Sequence, residues 1–273
     1  MRWLLLRGLI RESRHWLDFP EYFASHVTSA DGTATEVLTC DLPGFGTEND
    51  RAVPATVPEF VDDMRARLRL LLRPGERIGL CAVSLGGMVG LSWLSRFPDD
   101  FACAVIINSS LGDASPLWHR MQPRNWPNIF RAPFMSAHKR ERMLLGMTRH
   151  QGDLALDARR YSDIADRTPP KPVHAVAQLR AAIKMKSPNN VSVPTWVLVS
   201  KADNLVSWKC SEAIAQRLSL PLKIHDGTGA EAAGHDLPLD QPGWVCDRVN
   251  ELIATLPGAA PVTSSETPSS PAG

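Results

Sequence analysis

Three residues in this sequence have the types and positions needed for nucleophilic catalysis: Ser84, Asp203 and His235. A serine hydroxyl is a weak nucleophile at neutral pH, so it needs a base, and the base needs a group that fixes its tautomer. Each of the three lies just beyond an apolar segment that we expect to be a strand. Because the carboxyl ends of parallel strands meet at one edge of a sheet, these side chains should lie close together.

The segment around Ser84 is the most specific part of this pattern. An apolar run, Ile78–Val83, predicts a buried strand, and the residues after Ser84 have helical spacing. Small residues surround the serine, with Ala82 before it and Gly86 and Gly87 after it. A nucleophile on a strained strand-to-helix turn needs such neighbours, because the helix must pass close to the strand.

Other residues could fill the same roles. His225 could be the base, but it lies within a predicted strand, whereas His235 follows a small-residue loop. We expect the side chain of Asp236 to point away from its neighbour His235, and Asp240 to cap a helix. Asp226 is a further candidate for the acid, and four other serines lack the small-residue turn: Ser92, Ser95, Ser109 and Ser110.

The apolar segments and the helical patterns between them predict a mostly parallel, doubly wound α/β sheet. The expected strands are Trp3–Leu6, Val37–Cys40, Ile78–Val83, Phe101–Asn108, Pro194–Val199 and Leu222–His225. The alternation stops between residues 112 and 190, which have no strong strand pattern but show helical stretches around Lys139–Met147 and Val173–Lys186. We therefore predict a helical insertion between two strands of the sheet.

Four motifs make the chain resemble the α/β-hydrolase superfamily of serine hydrolases: D-L-P-G-F-G, A-V-S-L-G-G, K-A-D-N-L-V and A-G-H-D-L-P-L-D-Q-P. The resemblance implies a hydrolase core at 1–111 and 191–256 and a helical cap at 112–190. A Pro/Ser/Thr/Ala-rich tail at 257–273 is expected to be disordered. The implied activity is hydrolysis of a carboxylic ester or thioester through an acyl-enzyme on Ser84, with no cofactor or metal.

The resemblance also implies an oxyanion hole made of the backbone N–H groups of Leu9 and Leu85. The chain departs from the family pattern at Ala82, where glycine is usual, and at Arg7, where histidine is usual. Arg7 could pair with a loop carboxylate or could hold an acid group of the substrate. Asp41 is expected to hold its own loop by accepting hydrogen bonds from backbone N–H groups.

Two other functions remain open on the same sequence. The same three residues could support C–C bond hydrolysis or a proton-abstracting lyase reaction. A non-catalytic ligand-binding protein that keeps the fold is the second alternative. Sequence patterns do not distinguish these substrates, because one fold supports many reactions.

Composition excludes several other classes. The net charge of +1 gives no sign of a nucleic-acid or membrane partner. The sequence contains no Walker loop, no G-x-G-x-x-G and no metal-ligand spacing. The five cysteines form no C-x-x-C pair and suit reduced thiols in the cytoplasm. The apolar run at Trp3–Leu6 is too short for the core of a signal peptide.

Charge is unevenly distributed between the core and the cap. Residues 112–190 contain 14 lysines and arginines against six acids, a net charge of about +8. The chain resembles cap-bearing carboxylesterases, including those that cleave the methyl ester of pimeloyl-acyl-carrier-protein. An acidic acyl carrier protein is therefore a possible partner for the cap. We expect Lys139 and Arg142 to share a helix face, with Arg149 two turns further along.

Overall fold

A computed structural model of the chain describes residues 1–29 and 33–257. It contains one parallel six-stranded sheet in the order β2-β1-β3-β4-β5-β6. The strands are β1 (Arg2–Leu6), β2 (Glu36–Thr39), β3 (Ile78–Val83), β4 (Phe101–Ile107), β5 (Thr195–Ser200) and β6 (Leu222–His225). This confirms the predicted fold class. The predicted tail at 257–273 lies, apart from Pro257, outside the described residues.

The helices cover both faces of the sheet. They are α1 (Phe19–His26), α2 (Val57–Arg69), α3 (Leu85–Arg96), α4 (Leu117–Arg120), α5 (Trp126–Arg131), α6 (Ala137–Thr148), α7 (Leu154–Arg167), α8 (Pro172–Lys184), α9 (Lys209–Leu218), α10 (Leu237–Asp240) and α11 (Pro242–Ala254). Successive residues of β3 point to opposite faces, so Leu80 packs with α2, α3 and α9, whereas Cys81 packs with α1 and α11. Two apolar cores therefore enclose the sheet.

The segment between β4 and β5 forms the helical cap. It contains α4 to α8, and all of its residues are described, none of them in a strand. Sequence patterns predicted helices near α6 and α8 but missed α7. That helix begins after Asp153, whose side chain accepts hydrogen bonds from the N–H groups of Ala155 and Leu156, both at 3.0 Å. Asp153 is therefore the helix-start signal that was present in the sequence.

The cap is tied by hydrogen bonds to the loops at the carboxyl edge of the sheet. Gln122 Nε2 donates to the carbonyl of Asp203 at 2.8 Å. The N–H of Asp236 donates to the carbonyl of Thr148 at 2.9 Å. Gln178 Oε1 accepts from the N–H of Ile10 at 3.0 Å. Three separate loops of the core thus have fixed positions relative to the cap.

Two expectations about charged residues were wrong. Arg149 does not extend the basic face of α6, because its side chain is buried between Asp157 and Asp240. Asp240 does not cap a helix. It accepts hydrogen bonds from the N–H groups of Gly234 at 2.7 Å and His150 at 2.8 Å, and so joins the loop before α10 to the end of α6.

Candidate active site

Ser84 lies on the turn between β3 and α3. Its backbone has φ 57° and ψ −118°, a strained conformation for a residue with a side chain. The chain passes very close on the other side of this turn: a Cβ at Gly86 would lie 2.6 Å from the carbonyl oxygens of both Leu6 and Arg7. Only glycine fits there, which is the physical reason for the small residue two positions after the serine.

His235 and Asp203 form a buried hydrogen-bonded pair. The distance from His235 Nδ1 to Asp203 Oδ2 is 2.7 Å. The other oxygen of Asp203 accepts from the N–H groups of Leu205 at 2.8 Å and Val206 at 3.0 Å, so the carboxylate is held on both sides. The pair leaves Nε2 of His235 as the nitrogen available for proton transfer.

The surroundings of His235 favour its protonated form. Burial acts to lower the pKa of His235, but attraction and a hydrogen bond to Asp203 outweigh it, with a further contribution from Asp236. The pKa of His235 therefore lies above its ordinary value. Ser84 Oγ forms no hydrogen bond within the described residues. Contacts between a nucleophile and its base are often long before a substrate binds.

Asn108 holds the two loops together, a role that sequence patterns did not reveal. Its side chain donates to the carbonyl of His235 at 2.8 Å and accepts from the N–H of Ser200 at 3.0 Å. Asn108 has a positive φ of 46° directly after β4. The sequence signal was an asparagine at the end of a strand, since asparagine tolerates this conformation better than most residues.

The N–H groups of Leu9 and Leu85 flank the serine. Neither donates to an acceptor within the described part of the chain. Gly8 brings the loop after β1 next to Ser84, because a Cβ there would lie 2.9 Å from Ser84 Cβ. The oxyanion hole made of these two N–H groups stays a prediction.

Arg7 lies beside this loop and pairs with a loop carboxylate. Its guanidinium is 2.9 Å from Asp236 Oδ1, and both side chains are buried. The guanidinium also lies over the ring of Trp16, 4.7 Å from its centroid. Of the two roles considered for Arg7, this geometry favours the structural one. Asp41 accepts from the N–H groups of Ser13 and Thr47, as expected.

Two cavities meet at Ser84. The first, of about 100 Å³, reaches His235 and Asp236 and is roofed by the cap residues Ile129 and Leu144. The second, of about 90 Å³, extends away from His235 to Arg120. Leu9, Ser84, Met121 and Leu205 line both cavities. A bound molecule could therefore occupy both sides of the serine at once.

The rival residues lie elsewhere. His225 ends β6 and packs edge-on against Trp244, with 5.2 Å between ring centroids. Asp226 has a side chain that is 72% exposed and lies near Lys201. Among the described residues, no group of three or more histidine, cysteine, aspartate or glutamate side chains is arranged to hold a metal ion.

The fold and these loops define the class of protein. A model of the alpha/beta hydrolase family matches residues 3–248, so the chain belongs to that family. None of the curated proteins compared with the chain matches it. In the described part of the chain, every helix is too short or too polar to cross a bilayer. All five cysteines, each within the described residues, are free thiols.

Solved structures show the same fold at low sequence identity. The enol-lactonase from Burkholderia xenovorans LB400 is 16% identical with a TM-score of 0.69, over 93% of this chain and 91% of that one. The thermophilic esterase from Thermogutta terrifontis is 20% identical with a TM-score of 0.65, over 92% of this chain and 88% of that one. Serine hydrolase CCSP0084 from Cycloclasticus zankles is 16% identical with a TM-score of 0.69, over 92% of this chain and 88% of that one.

Proposed function

We propose that this protein is a serine hydrolase that cleaves carboxylic esters or thioesters through an acyl-enzyme on Ser84. The observation that carries the proposal is the 2.7 Å hydrogen bond between His235 Nδ1 and Asp203, beside a serine with a strained backbone. A carboxylate–imidazole pair whose imidazole shares a cavity with a serine hydroxyl on such a turn is the arrangement that general-base activation of serine requires.

The reaction proceeds in two halves. Nε2 of His235 takes the hydroxyl proton while Ser84 Oγ bonds to the acyl carbon, and the N–H groups of Leu9 and Leu85 stabilise the oxyanion. The bond from the acyl carbon to the leaving oxygen or sulfur then breaks, and His235 gives its proton to the leaving group. Water attacks the acyl-enzyme in the second half, His235 takes its proton, and Ser84 is restored with that proton as the acid departs.

Labelling with a fluorophosphonate tests the nucleophile directly. Intact mass spectrometry should show one phosphonyl group on the wild-type protein and none on Ser84→Ala. A panel of p-nitrophenyl esters should then be hydrolysed. Failure of the wild-type protein to react, with the fold intact by circular dichroism, would contradict the proposal. Turnover of vinylogous diketones without ester turnover would instead indicate C–C bond hydrolysis on the same residues.

We further propose that the cap can present an acyl carrier protein substrate to the site. The support is charge: many cap cations are exposed and have no carboxylate within 4.0 Å among the described residues. These are Arg124, Arg131, Lys139, Arg142, Arg159, Arg167, Arg180, Lys184 and Lys186. A positive surface next to the active site would attract an acidic carrier and orient its acyl chain.

Charge reversal on α6 tests this second proposal. Lys139→Glu with Arg142→Glu should raise KM for a carrier-linked methyl ester but leave a small p-nitrophenyl ester unaffected. Arg140 is left intact, because it lies 3.3 Å from Glu141 and a reversal there would create a repulsive pair. The control is Arg73→Glu, compared with Lys139→Glu alone, because Arg73 is exposed just after α2 and outside the cap.

Salt provides a second, independent measurement. Turnover of the carrier-linked ester should fall as salt is added, because exposed charges are screened beyond about 8 Å at physiological ionic strength. Carrier-linked turnover that is indifferent to both salt and charge reversal would mean that the basic cap is only a solvated surface.

A further inference from the structure

The cavity that reaches His235 is lined by Arg7 and Arg11 and the other cavity by Arg120, and these arginines differ in whether a carboxylate pairs with them. In the cavity that reaches His235, the guanidinium of Arg7 is neutralised by Asp236 at 2.9 Å. In the other cavity, Arg120 has no carboxylate within 4.0 Å among the residues that the structure describes. The nearest acid in sequence, Asp113, is instead paired with Arg217 at 3.5 Å.

The contacts of Arg120 hold its guanidinium in place but do not use all of its hydrogen-bond donors. Nη2 donates to the carbonyl of Ala182 at 2.7 Å, and Nε donates to Ser110 Oγ at 3.3 Å. Nη1 has no acceptor among the described residues and is not sealed from solvent. A half-buried arginine keeps its charge at neutral pH. Arg120 is thus a fixed positive charge that lines a cavity beginning at Ser84, and one of its nitrogens has no acceptor among the described residues.

The position of His235 indicates which part of a substrate each cavity takes. The imidazole must give its proton to the leaving oxygen, so the leaving group lies on the side of the serine that His235 lines. The acyl chain extends from the same carbon in the other direction. The cavity that contains Arg120 is not lined by His235, so it is the acyl side.

We infer that Arg120 binds a carboxylate at the far end of the acyl chain, so that the small-molecule substrates include monoesters of short dicarboxylic acids. This inference rests on the proposed serine hydrolase function and names its substrate class. A planar guanidinium with a free N–H is suited to a carboxylate, and a charge-assisted hydrogen bond in a partly buried site is among the stronger polar contacts.

The remaining lining of this cavity supports a short chain between the two ends. It is mostly aliphatic, formed by residues such as Leu85, Met88, Leu117, Leu179, Ile183 and Val206. Its volume of about 90 Å³ favours a short chain over a long one. Apolar walls fit methylene groups, and they would make an anionic end unfavourable without Arg120.

The test compares esters that differ only in the far end of the acyl chain. Monomethyl succinate, glutarate and adipate are paired with methyl butanoate, pentanoate and hexanoate, and release of methanol is measured. We expect the wild-type protein to have a higher kcat/KM for the anionic member of at least one pair. In Arg120→Gln the ratio of anionic to neutral kcat/KM should fall about 10- to 100-fold.

Two variants control this comparison. Arg120→Lys keeps the charge and should retain part of the preference, whereas Arg73→Gln, exposed and far from the cavities, should leave the ratio unchanged. Because the ratio is taken within each variant, a partly unfolded preparation does not alter it. If the ratio is the same in wild type and Arg120→Gln and only the melting temperature falls, Arg120 is a structural clamp and the inference is wrong.

A binding measurement separates failure of this inference from failure of the proposed function. Calorimetric titration with glutarate and with pentanoate needs no turnover. Tighter binding of glutarate that is lost in Arg120→Gln would support the anionic subsite even if no ester were hydrolysed. Equal binding of both acids by the wild-type protein, or hydrolysis of neutral esters alone, would overturn the subsite while leaving the hydrolase proposal standing.

Discussion

The two sides of Ser84 differ in how their charges are compensated. On the His235 side, every arginine near the site has a buried carboxylate partner: Arg7 with Asp236 at 2.9 Å, Arg11 with Glu141 at 2.6 Å and Arg149 with Asp240 at 3.1 Å. On the other side Arg120 has none within the described residues. Paired charges fasten loops and cap to one another, whereas an unpaired charge at a cavity is available to a ligand.

The comparison assumes that both cavities serve one nucleophile. Ser84→Ala should therefore abolish turnover of neutral and anionic esters alike, with a loss of about 10⁶ in kcat. Ser95→Ala, at a serine without the strained turn, should behave as wild type. Turnover of p-nitrophenyl esters is measured on well-folded protein. If Ser84→Ala kept a tenth of the wild-type rate, Ser84 would not be the nucleophile, and the two cavities would not serve one reaction at this serine.

Asp203→Asn should have the next largest effect. The amide keeps the geometry but favours the wrong tautomer of His235, so kcat should fall by about 10⁴. Asp226→Asn is the matched control, because Asp226 is exposed and lies outside the hydrogen bonds of His235. Steady-state kinetics on both variants measure this difference. A large loss of kcat in Asp226→Asn with a near-normal kcat in Asp203→Asn would show that Asp226, not Asp203, is the acid that orients His235.

Breaking a paired charge should affect stability more than removing an exposed one. Arg149→Met leaves Asp240 buried without its cation and Asp157 with only Arg160 at 3.9 Å, so the free energy of unfolding should fall by about 3–5 kcal/mol. Arg131→Met, at an exposed cap position, should change it by less than about 0.5 kcal/mol. Urea unfolding measures both. Equal losses of unfolding free energy in the two variants would show that the buried ion pairs do not stabilise the attachment of the cap to the core.

The smallest expected effect is on the pH profile. His235 must be neutral to accept a proton, and its pKa lies above 6.5 because Asp203 and Asp236 outweigh burial. The value of kcat/KM should therefore rise with pH through an inflection above 6.5. In Asp236→Asn the inflection should move to lower pH, because a carboxylate that raises the pKa is lost and Arg7, which lowers it, is left uncompensated. An unchanged inflection would contradict this electrostatic account.

The fold class and the local geometry around the serine could be predicted from the sequence. The limits of β3 and the small residues around Ser84 follow from short-range patterns, because the tight turn at Gly86 excludes any Cβ. Ser84 and Asp203 lie in motifs that follow β3 and β5 closely, whereas His235 lies in a motif of the long loop after β6. Such features depend on neighbours in the chain, so a single sequence reveals them.

The pairing of the charges, and therefore the character of each cavity, could not be predicted, because it depends on contacts between distant parts of the chain. Arg7 and Asp236 are far apart in sequence but lie 2.9 Å apart in the fold, and Arg149 is buried although helical spacing placed it with exposed cations. Arg120 resembles any other cap arginine in the sequence. Whether a charge is paired depends on which loops the sheet and cap bring together, and no local pattern encodes those distances.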